Sequence, residues 1–204
     1  MRRKAPSLHQ PSAAHRNLFG AVPPEPTDDP ASSIPEAVQR CRWIAMDIGA
    51  AEFGLFIVSP SLERGQLLPT FDSSFPRLSS AAKFISGRNG EAGVKHTRIS
   101  TTPCWWAGAE RPAAAERFTA HEFILRIEEL VPGSPGIAFP VFAERGQCGL
   151  VVFLGADILI GTEQILDIHA RCFWLFSAVS RLGAGRAAKA PVMSKRELEC
   201  LKLT

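Results

Sequence analysis

Two apolar segments of seven residues, separated by one short polar turn, constrain the fold of this chain more than any other feature. Residues 136–142 read GIAFPVF and residues 148–154 read CGLVVFL. Both are rich in the β-branched and aromatic residues that favour strands. The intervening residues 143–146 (AERG) carry two charges and a glycine, which is typical of a turn between paired strands. The pattern therefore predicts a β-hairpin of two apolar strands.

The chain before this hairpin carries alternating helical and strand patterns. Apolar residues recur at helical spacing over 34–48, with Pro35 at an early helical position and Gly49 as a stop signal. Residues 52–59 and 66–71 predict a second hairpin, joined by a turn at 62–65. The remaining predictions are a short helix over 78–85, a glycine-rich break at 87–90, an extended end to 98–106 and a helical pattern over 113–130.

A long amphipathic helix is predicted over residues 163–182, with Thr162 as its cap. Its apolar face consists of Ile165, Ile168, Cys172, Leu175 and Val179. Phe173 and Trp174 fall outside that face, so a monomer would expose them. A twofold dimer is the simplest way to cover them, and a preceding helix or the tail of the chain is the alternative.

The two ends of the chain differ in composition from its centre. Residues 1–32 are rich in proline, alanine and serine and predict a disordered tail, whereas 33–182 predict one mixed helix–sheet domain. Residues 183–192 predict a linker of glycine, alanine and basic residues. In 193–204 a capping box from Ser194 to Glu197 opens a new helix, and the sequence stops inside it. We therefore expect a truncated second domain there.

Composition excludes several classes of protein. The hydrophobic content of 46% and charged content of 21% are ordinary for a globular domain, and the net charge is only +3. The five cysteines are scattered without a CxxC pair, so we expect reduced thiols, a cytoplasmic location and no metal site. Apolar stretches end well before the ~20 residues that span a bilayer, so no membrane partner is expected.

Candidate catalytic groups are dispersed, which favours a non-enzyme without cofactor. His121 and His169 lie in helical patterns, and no serine or cysteine has the surroundings of a nucleophile. The most unusual feature is the pair Trp105-Trp106. Both indoles could be core residues, or one could line a pocket for an apolar ligand and donate its N–H to a carbonyl.

Three stretches, in order, resemble the LuxR family of quorum-sensing transcription regulators. Residues 136–141, with Gly146 and Gly149-Leu150, are similar to the family's paired central strands. The long helix over 163–182 follows a short acidic loop, as in the family's sensing domain. Residues 193–201 (MSKRELECL) are similar to the opening of its helix-turn-helix domain. The likeness covers about residues 34–204.

This resemblance implies an α+β fold, an α/β/α sandwich with a central antiparallel sheet like that of an autoinducer-binding domain. It also implies dimerisation and a pocket between the sheet and one helical layer, whose ligand is an N-acyl-homoserine lactone or another small apolar signal. The ligand-binding residues that we expect from it are Trp106, Glu91, Trp105, Leu78, Ala82, Phe139 and Val152. Lys195 and Arg196 would make weak phosphate contacts with DNA.

Some of these positions depart from the family pattern. Glu91-Ala92 stands where the family has Asp-Pro, and the chain contains no tyrosine. Losing two hydrogen-bond donors from a buried polar site costs about 1–3 kcal/mol each, which favours an orphan or degenerate sensor. Because Glu91 lies among glycines, a solvated loop carboxylate is the alternative to a role in the pocket.

Two functions are therefore predicted. The first is a transcription regulator that responds to a small apolar signal. The second is a truncated relative that pairs with a full-length regulator and inhibits it without binding DNA, because DNA recognition needs a second helix in the major groove. Under both hypotheses the protein forms a homodimer or a heterodimer, and DNA is a partner only of a longer chain. A sensor domain of another class with similar topology is a third alternative.

Overall fold

The computed structural model describes residues 30–59, 65–108 and 124–187. These residues form four α-helices and six strands, together with single 3-10 turns at Arg88–Gly90 and Glu144–Gly146. In chain order the elements are α1 (Ile34–Asp47), β1 (Glu52–Val58), β2 (Leu67–Asp72), α2 (Ser80–Ile85), α3 (Glu91–Ile99), β3 (Cys104–Trp106), β4 (Leu125–Arg126), β5 (Gly136–Phe142), β6 (Cys148–Leu154) and α4 (Thr162–Ala187). None of the helices in these ranges is both long enough and apolar enough to cross a membrane.

The strands form one sheet in the order β2-β1-β6-β5-β3-β4. Every pair is antiparallel except β3 with β4, which is parallel. The predicted central hairpin is confirmed, since β5 pairs with β6 from Gly136 opposite Leu154 to Phe142 opposite Cys148. The predicted pairing of the second hairpin is also confirmed, as β1 lies beside β2. The fold is thus α+β with a mostly antiparallel sheet.

Helices cover both faces of this sheet because successive side chains of a strand point to opposite sides. On one face α1 and α4 pack against Phe53, Leu55, Phe139, Val151 and Phe153. On the other face α2 and α3 pack against Phe56, Leu67, Ala138, Leu150 and Val152. The central strands β5 and β6 are buried on both sides, which accounts for their continuous apolar sequences.

Helix α4 lies close to the sheet because residue 149 of β6 has no side chain. A Cβ atom at Gly149 would lie 2.4 Å from the ring of Phe176 in α4 and 2.4 Å from the carbonyl oxygen of Phe56 in β1. His169 of α4 adds a polar contact, since its Nε2 donates to the carbonyl oxygen of Pro140 over 2.7 Å. The apolar face predicted for this helix is confirmed as buried.

Helix α1 packs on α4 through buried thiols and a surface ion pair. Cys41 and Cys172 are both fully buried, and burial raises the pKa of each thiol well above its usual value. At the rim of this contact Arg171 of α4 pairs with Asp47 of α1 over 2.7 Å. The two helices therefore form one layer.

One sequence prediction in the middle of the chain is wrong, and one helix was not predicted. Residues 91–99, where the sequence analysis assigned no helix and offered a loop position for Glu91, form α3. A Cβ atom at Gly93 would lie 3.1 Å from Leu150 and 3.2 Å from Leu67, so α3 packs tightly on the sheet. The helix predicted to run to residue 130 is absent from 124–130, where β4 pairs with β3 instead. There the backbone N–H of Leu125 donates to the carbonyl oxygen of Pro103, so sheet pairing overrides the helical spacing.

The predictions for the ends of the chain are largely untested. Helix α4 continues to Ala187, so the first part of the predicted linker is helical. The tail over 1–29, the β1–β2 turn over 60–64, residues 109–123 and residues 188–204 lie outside the described residues. Lys195 and Arg196 belong to the last of these ranges.

Candidate functional site

A pocket open to solvent lies between α2 and the strands β1 and β6. The space that it encloses is about the size of one water molecule. The lining residues are Glu52, Phe53, Gly54 and Phe56 of β1, Ser79, Ala81, Ala82 and Ile85 at α2, and Val152 and Leu154 of β6. Sites for drug-sized ligands have roughly 300–1,000 Å³, so any signal molecule larger than water requires one wall to move.

The surface of this pocket is mostly apolar. Its two polar side chains are the exposed carboxylate of Glu52 at the rim and the hydroxyl of Ser79. The oxygen of Ser79 accepts the backbone N–H of Ala82 over 3.1 Å, which caps α2 and leaves the hydroxyl proton to donate elsewhere. Such a lining suits an apolar ligand with at most one or two hydrogen-bonding groups.

Trp106 is a core residue of the α2/α3 face. Its side chain is 0% exposed, and its Nε1 donates to the backbone carbonyl oxygen of Ser134 over 2.8 Å. A Cβ atom at Gly136 would lie 2.5 Å from the indole ring, so the ring lies directly against β5. The indole N–H therefore donates to the backbone of the chain itself and not to a ligand, which was one of the two alternatives left by the sequence.

Two other sequence-predicted positions lie in the pocket wall. Ala82 of α2 and Val152 of β6 both line the pocket, and both share a hydrophobic cluster with Trp106. Leu78 lies on the surface, just before the capping residue of α2. Glu91 is the exposed first residue of α3 rather than part of a loop.

Trp105 and Phe139 lie on the opposite face of the sheet, so the expectation that they line the same pocket as Trp106 is wrong. Both pack in the cluster under α1 and α4. Trp105 precedes Trp106 in one strand, and neighbouring side chains of a strand point to opposite faces. The guanidinium of Arg126 lies 5.5 Å from the centre of the Trp105 ring. Phe139 contacts Phe153 edge to face, with ring centres 6.0 Å apart.

One buried carboxylate beside the pocket escaped the sequence analysis. Asp72 ends β2 and is 1% exposed. One of its oxygens accepts the backbone N–H of Ser74 over 2.8 Å, and the other accepts that of Ser79 over 2.7 Å. The signal was present in Asp72-Ser73-Ser74, because aspartate often bonds the backbone two residues ahead in a turn. Its contact with α2 is visible only in the structure.

His96 is a second polar residue that the sequence analysis did not single out. It is buried in α3, with its Nε2 2.7 Å from the carbonyl oxygen of Thr102. That contact holds the chain between α3 and β3. In the parts of the chain that the structure describes, no three histidine, cysteine or acidic side chains are grouped so that they could hold a metal ion.

No protein-family model and no curated protein sequence matches this chain.

Proposed function

We propose that this chain contains the ligand-sensing half of a LuxR-type transcription regulator of quorum sensing, which binds a small apolar signal in the pocket under α2. The observation that carries the proposal is that Ala82 and Val152 line the same pocket. The motif resemblance predicts both as ligand positions, although they are distant in sequence, and both line this pocket. The α2/α3 layer also lies on the sheet face that carries Trp106.

The contacts of Trp106 favour a signal with few polar groups. A lactone ring and its amide need several buried donors, and the indole N–H of Trp106 is already bonded to Ser134. Ser79 and Glu52 are then the polar groups that the pocket offers. An acyl-homoserine lactone would lose most of the contacts that its head group requires, whereas a simple acyl chain would lose little.

Filling the pocket is expected to weaken ligand binding. The side chain of Ala81 is partly buried in the pocket wall, so Ala81→Phe places a ring in the space between α2 and the sheet. With N-octanoyl-homoserine lactone and octanamide as probes, we expect octanamide to bind at least as tightly as the lactone. Ala81→Phe should weaken both by tenfold or more in calorimetric titration, which corresponds to about 1.4 kcal/mol.

The matched control for this substitution is Lys95→Phe, which adds a phenylalanine to the exposed side of α3, away from the pocket lining. It should leave both affinities unchanged. Equal binding by the wild type and Ala81→Phe would contradict the pocket assignment.

In this proposal the regulator acts in the cytoplasm and controls transcription through a helix-turn-helix domain opening at Ser194. The sensing half then transmits ligand binding to that domain, with Lys195 and Arg196 near the DNA backbone.

A second candidate function, inhibition of a related regulator by pairing with it, is favoured by the outer surface of α4. Leu166 is 73% exposed, Trp174 is 68% exposed and Phe173 is 42% exposed. The rings of Phe173 and Trp174 meet edge to face with centres 6.5 Å apart. An exposed apolar surface of this kind marks a protein interface, and twofold pairing is the commonest arrangement.

We expect the wild-type protein to sediment as a dimer at micromolar concentration and Trp174→Ala to shift it toward the monomer. A tryptophan at the centre of an interface typically contributes 2 kcal/mol or more, so the dissociation constant should rise by roughly thirtyfold. Ile99→Ala, which removes another highly exposed apolar side chain from the α2/α3 layer, is the control and should leave the dimer intact. A wild-type monomer that Trp174→Ala leaves unchanged would remove both the dimer and the inhibitor mechanism.

A further inference from the structure

Of the two pocket walls, helix α2 is the one that buries fewer side chains in the core. It has six residues, and its buried side chains are Ala82 and Ile85. The opposite wall consists of the central strands β1 and β6, whose ladder runs from Glu52 opposite Leu154 to Ile57 opposite Gly149. Elements with little buried apolar surface open most easily. An occupant larger than the present space would therefore displace α2 rather than the sheet.

The two ends of α2 are attached in different ways. At its C-terminal end the backbone is packed tightly, because a Cβ atom at Gly90 would lie 2.1 Å from the carbonyl oxygen of Ile85. At its N-terminal end the attachment is polar. The buried carboxylate of Asp72 accepts the backbone N–H of Ser79, the residue that caps α2. Its other oxygen accepts the N–H of Ser74 in the same connection.

We propose that α2 is the gate of the pocket and that Asp72 is the positioning residue that holds the gate closed. Release of the bond from Ser79 to Asp72 frees the N-terminal end of α2, and the helix then swings about its tight contact with Gly90. Apolar molecules enter between α2 and β1 through the opening that this motion makes. The inference rests on the proposed function only in that the same pocket would hold the signal.

Hydrogen exchange in the variant Asp72→Asn tests directly whether the bond from Ser79 to Asp72 holds α2 in place. The amide keeps one acceptor oxygen but presents an NH₂ group to the other backbone N–H, so one hydrogen bond is lost and the remaining one is no longer charge-assisted, which weakens the contact with Ser79 in either orientation. Amides of residues 82–86 should exchange at least about tenfold faster in the ligand-free variant. Amides of β5 and β6 should keep their wild-type rates.

Glu36→Gln is the matched control on the other helical layer. Like Asp72, Glu36 accepts two hydrogen bonds near the start of a helix. In its case both come from Ser32, whose N–H and O–H each donate over 2.8 Å. These bonds and the Arg40 side chain lower the pKa of Glu36 to about 2. Its substitution should speed exchange at the start of α1 and leave α2 unchanged.

If α2 is a gate, loss of the Asp72 contact should change the rates of ligand entry and exit, whereas a merely structural role for Asp72 would not change them in this way. The probe is the fluorescent dye 1-anilinonaphthalene-8-sulfonate. Only the part of its fluorescence that is lost in Ala81→Phe is counted as dye in the pocket, so dye bound to the exposed surface of α4 does not contribute. In Asp72→Asn the association and dissociation rates of the dye should both rise about tenfold, with its dissociation constant changed less than threefold. A structural defect would instead weaken the affinity.

Three results would overturn the gate: unchanged exchange at 82–86, faster exchange spread across the whole sheet, or faster exchange without faster dye entry. If Asp72→Asn does not fold, the ligand-free wild type is measured instead. The amide of Ser79 and those of residues 82–86 should then exchange together and at least about tenfold faster than those of β5 and β6. Exchange of these amides as slow as that of β5 and β6 contradicts the gate. Loss of octanamide binding in the Ala81→Phe titration tests the signal pocket separately, so the two proposals can fail independently.

Discussion

Replacing Trp106 by alanine is expected to lower the free energy of unfolding by about 3–5 kcal/mol, the usual cost of removing a large buried aromatic side chain. The indole is fully buried and lies against Gly136, where a glycine leaves no side chain that could move into the space. The substitution also leaves the carbonyl oxygen of Ser134 without its donor. Urea unfolding followed by circular dichroism measures the change.

Two further variants separate the contributions of the Trp106 side chain. Trp106→Phe keeps most of the apolar volume but removes the N–H, so we expect a smaller loss of about 1–3 kcal/mol. Leu78→Ala removes a surface side chain that the family resemblance assigned to the same site, and it should change stability by no more than about 0.5 kcal/mol. A Trp106→Ala variant as stable as Leu78→Ala would show that Trp106 is not a core residue.

Replacing Gly149 by alanine should destabilise the protein by about 1–3 kcal/mol through overpacking. The new methyl group would lie 2.4 Å from the Phe176 ring on one side and 2.4 Å from the carbonyl oxygen of Phe56 on the other. The ring can shift with α4, but the carbonyl belongs to β1, which is paired to β6 at this point. We expect a lower melting temperature and a weaker contact between α4 and the sheet.

Gly183→Ala is the matched control because the same methyl group is added where there is room for it. Gly183 lies within α4, and apart from its neighbours in the helix no heavy atom of the described residues lies within 4 Å of the position that a Cβ would occupy. Alanine is a better helix former than glycine, so this variant should be more stable by roughly 0.5–1 kcal/mol. If Gly149→Ala and Gly183→Ala both raised or both lowered the free energy of unfolding, the packing described for Gly149 would be contradicted.

The sequence alone predicted those helices and strands in which the spacing of apolar side chains fits only one kind of secondary structure. The strands β5 and β6, the hairpin of β1 with β2 and the helices α1 and α4 all follow from local patterns of apolar residues and turn signals. The buried face of α4 and the exposure of Phe173 and Trp174 follow from the same helical spacing. These features depend on residues near one another in the chain.

Elements whose local preferences conflict with their surroundings could not be predicted in this way. Helix α3 contains Gly93, which disfavours a helix locally but allows close approach to Leu150 of β6. Residues 125–126 have helical spacing, yet they form the edge strand beside β3 because Pro103 and Trp105 supply carbonyl oxygens for their ladder. Only contacts between distant segments decide such cases.

The candidate site shows the same division. The sequence singled out Ala82, Trp106 and Val152, but only the tertiary structure placed Ala82 and Val152 in the lining of one pocket and bonded the Trp106 N–H to Ser134. The face of a strand residue depends on register, and a shift of one residue exchanges the two faces. The tertiary structure alone therefore decided that Trp105 and Phe139 lie under α1 and α4, and that the carboxylate of Asp72 reaches the start of α2.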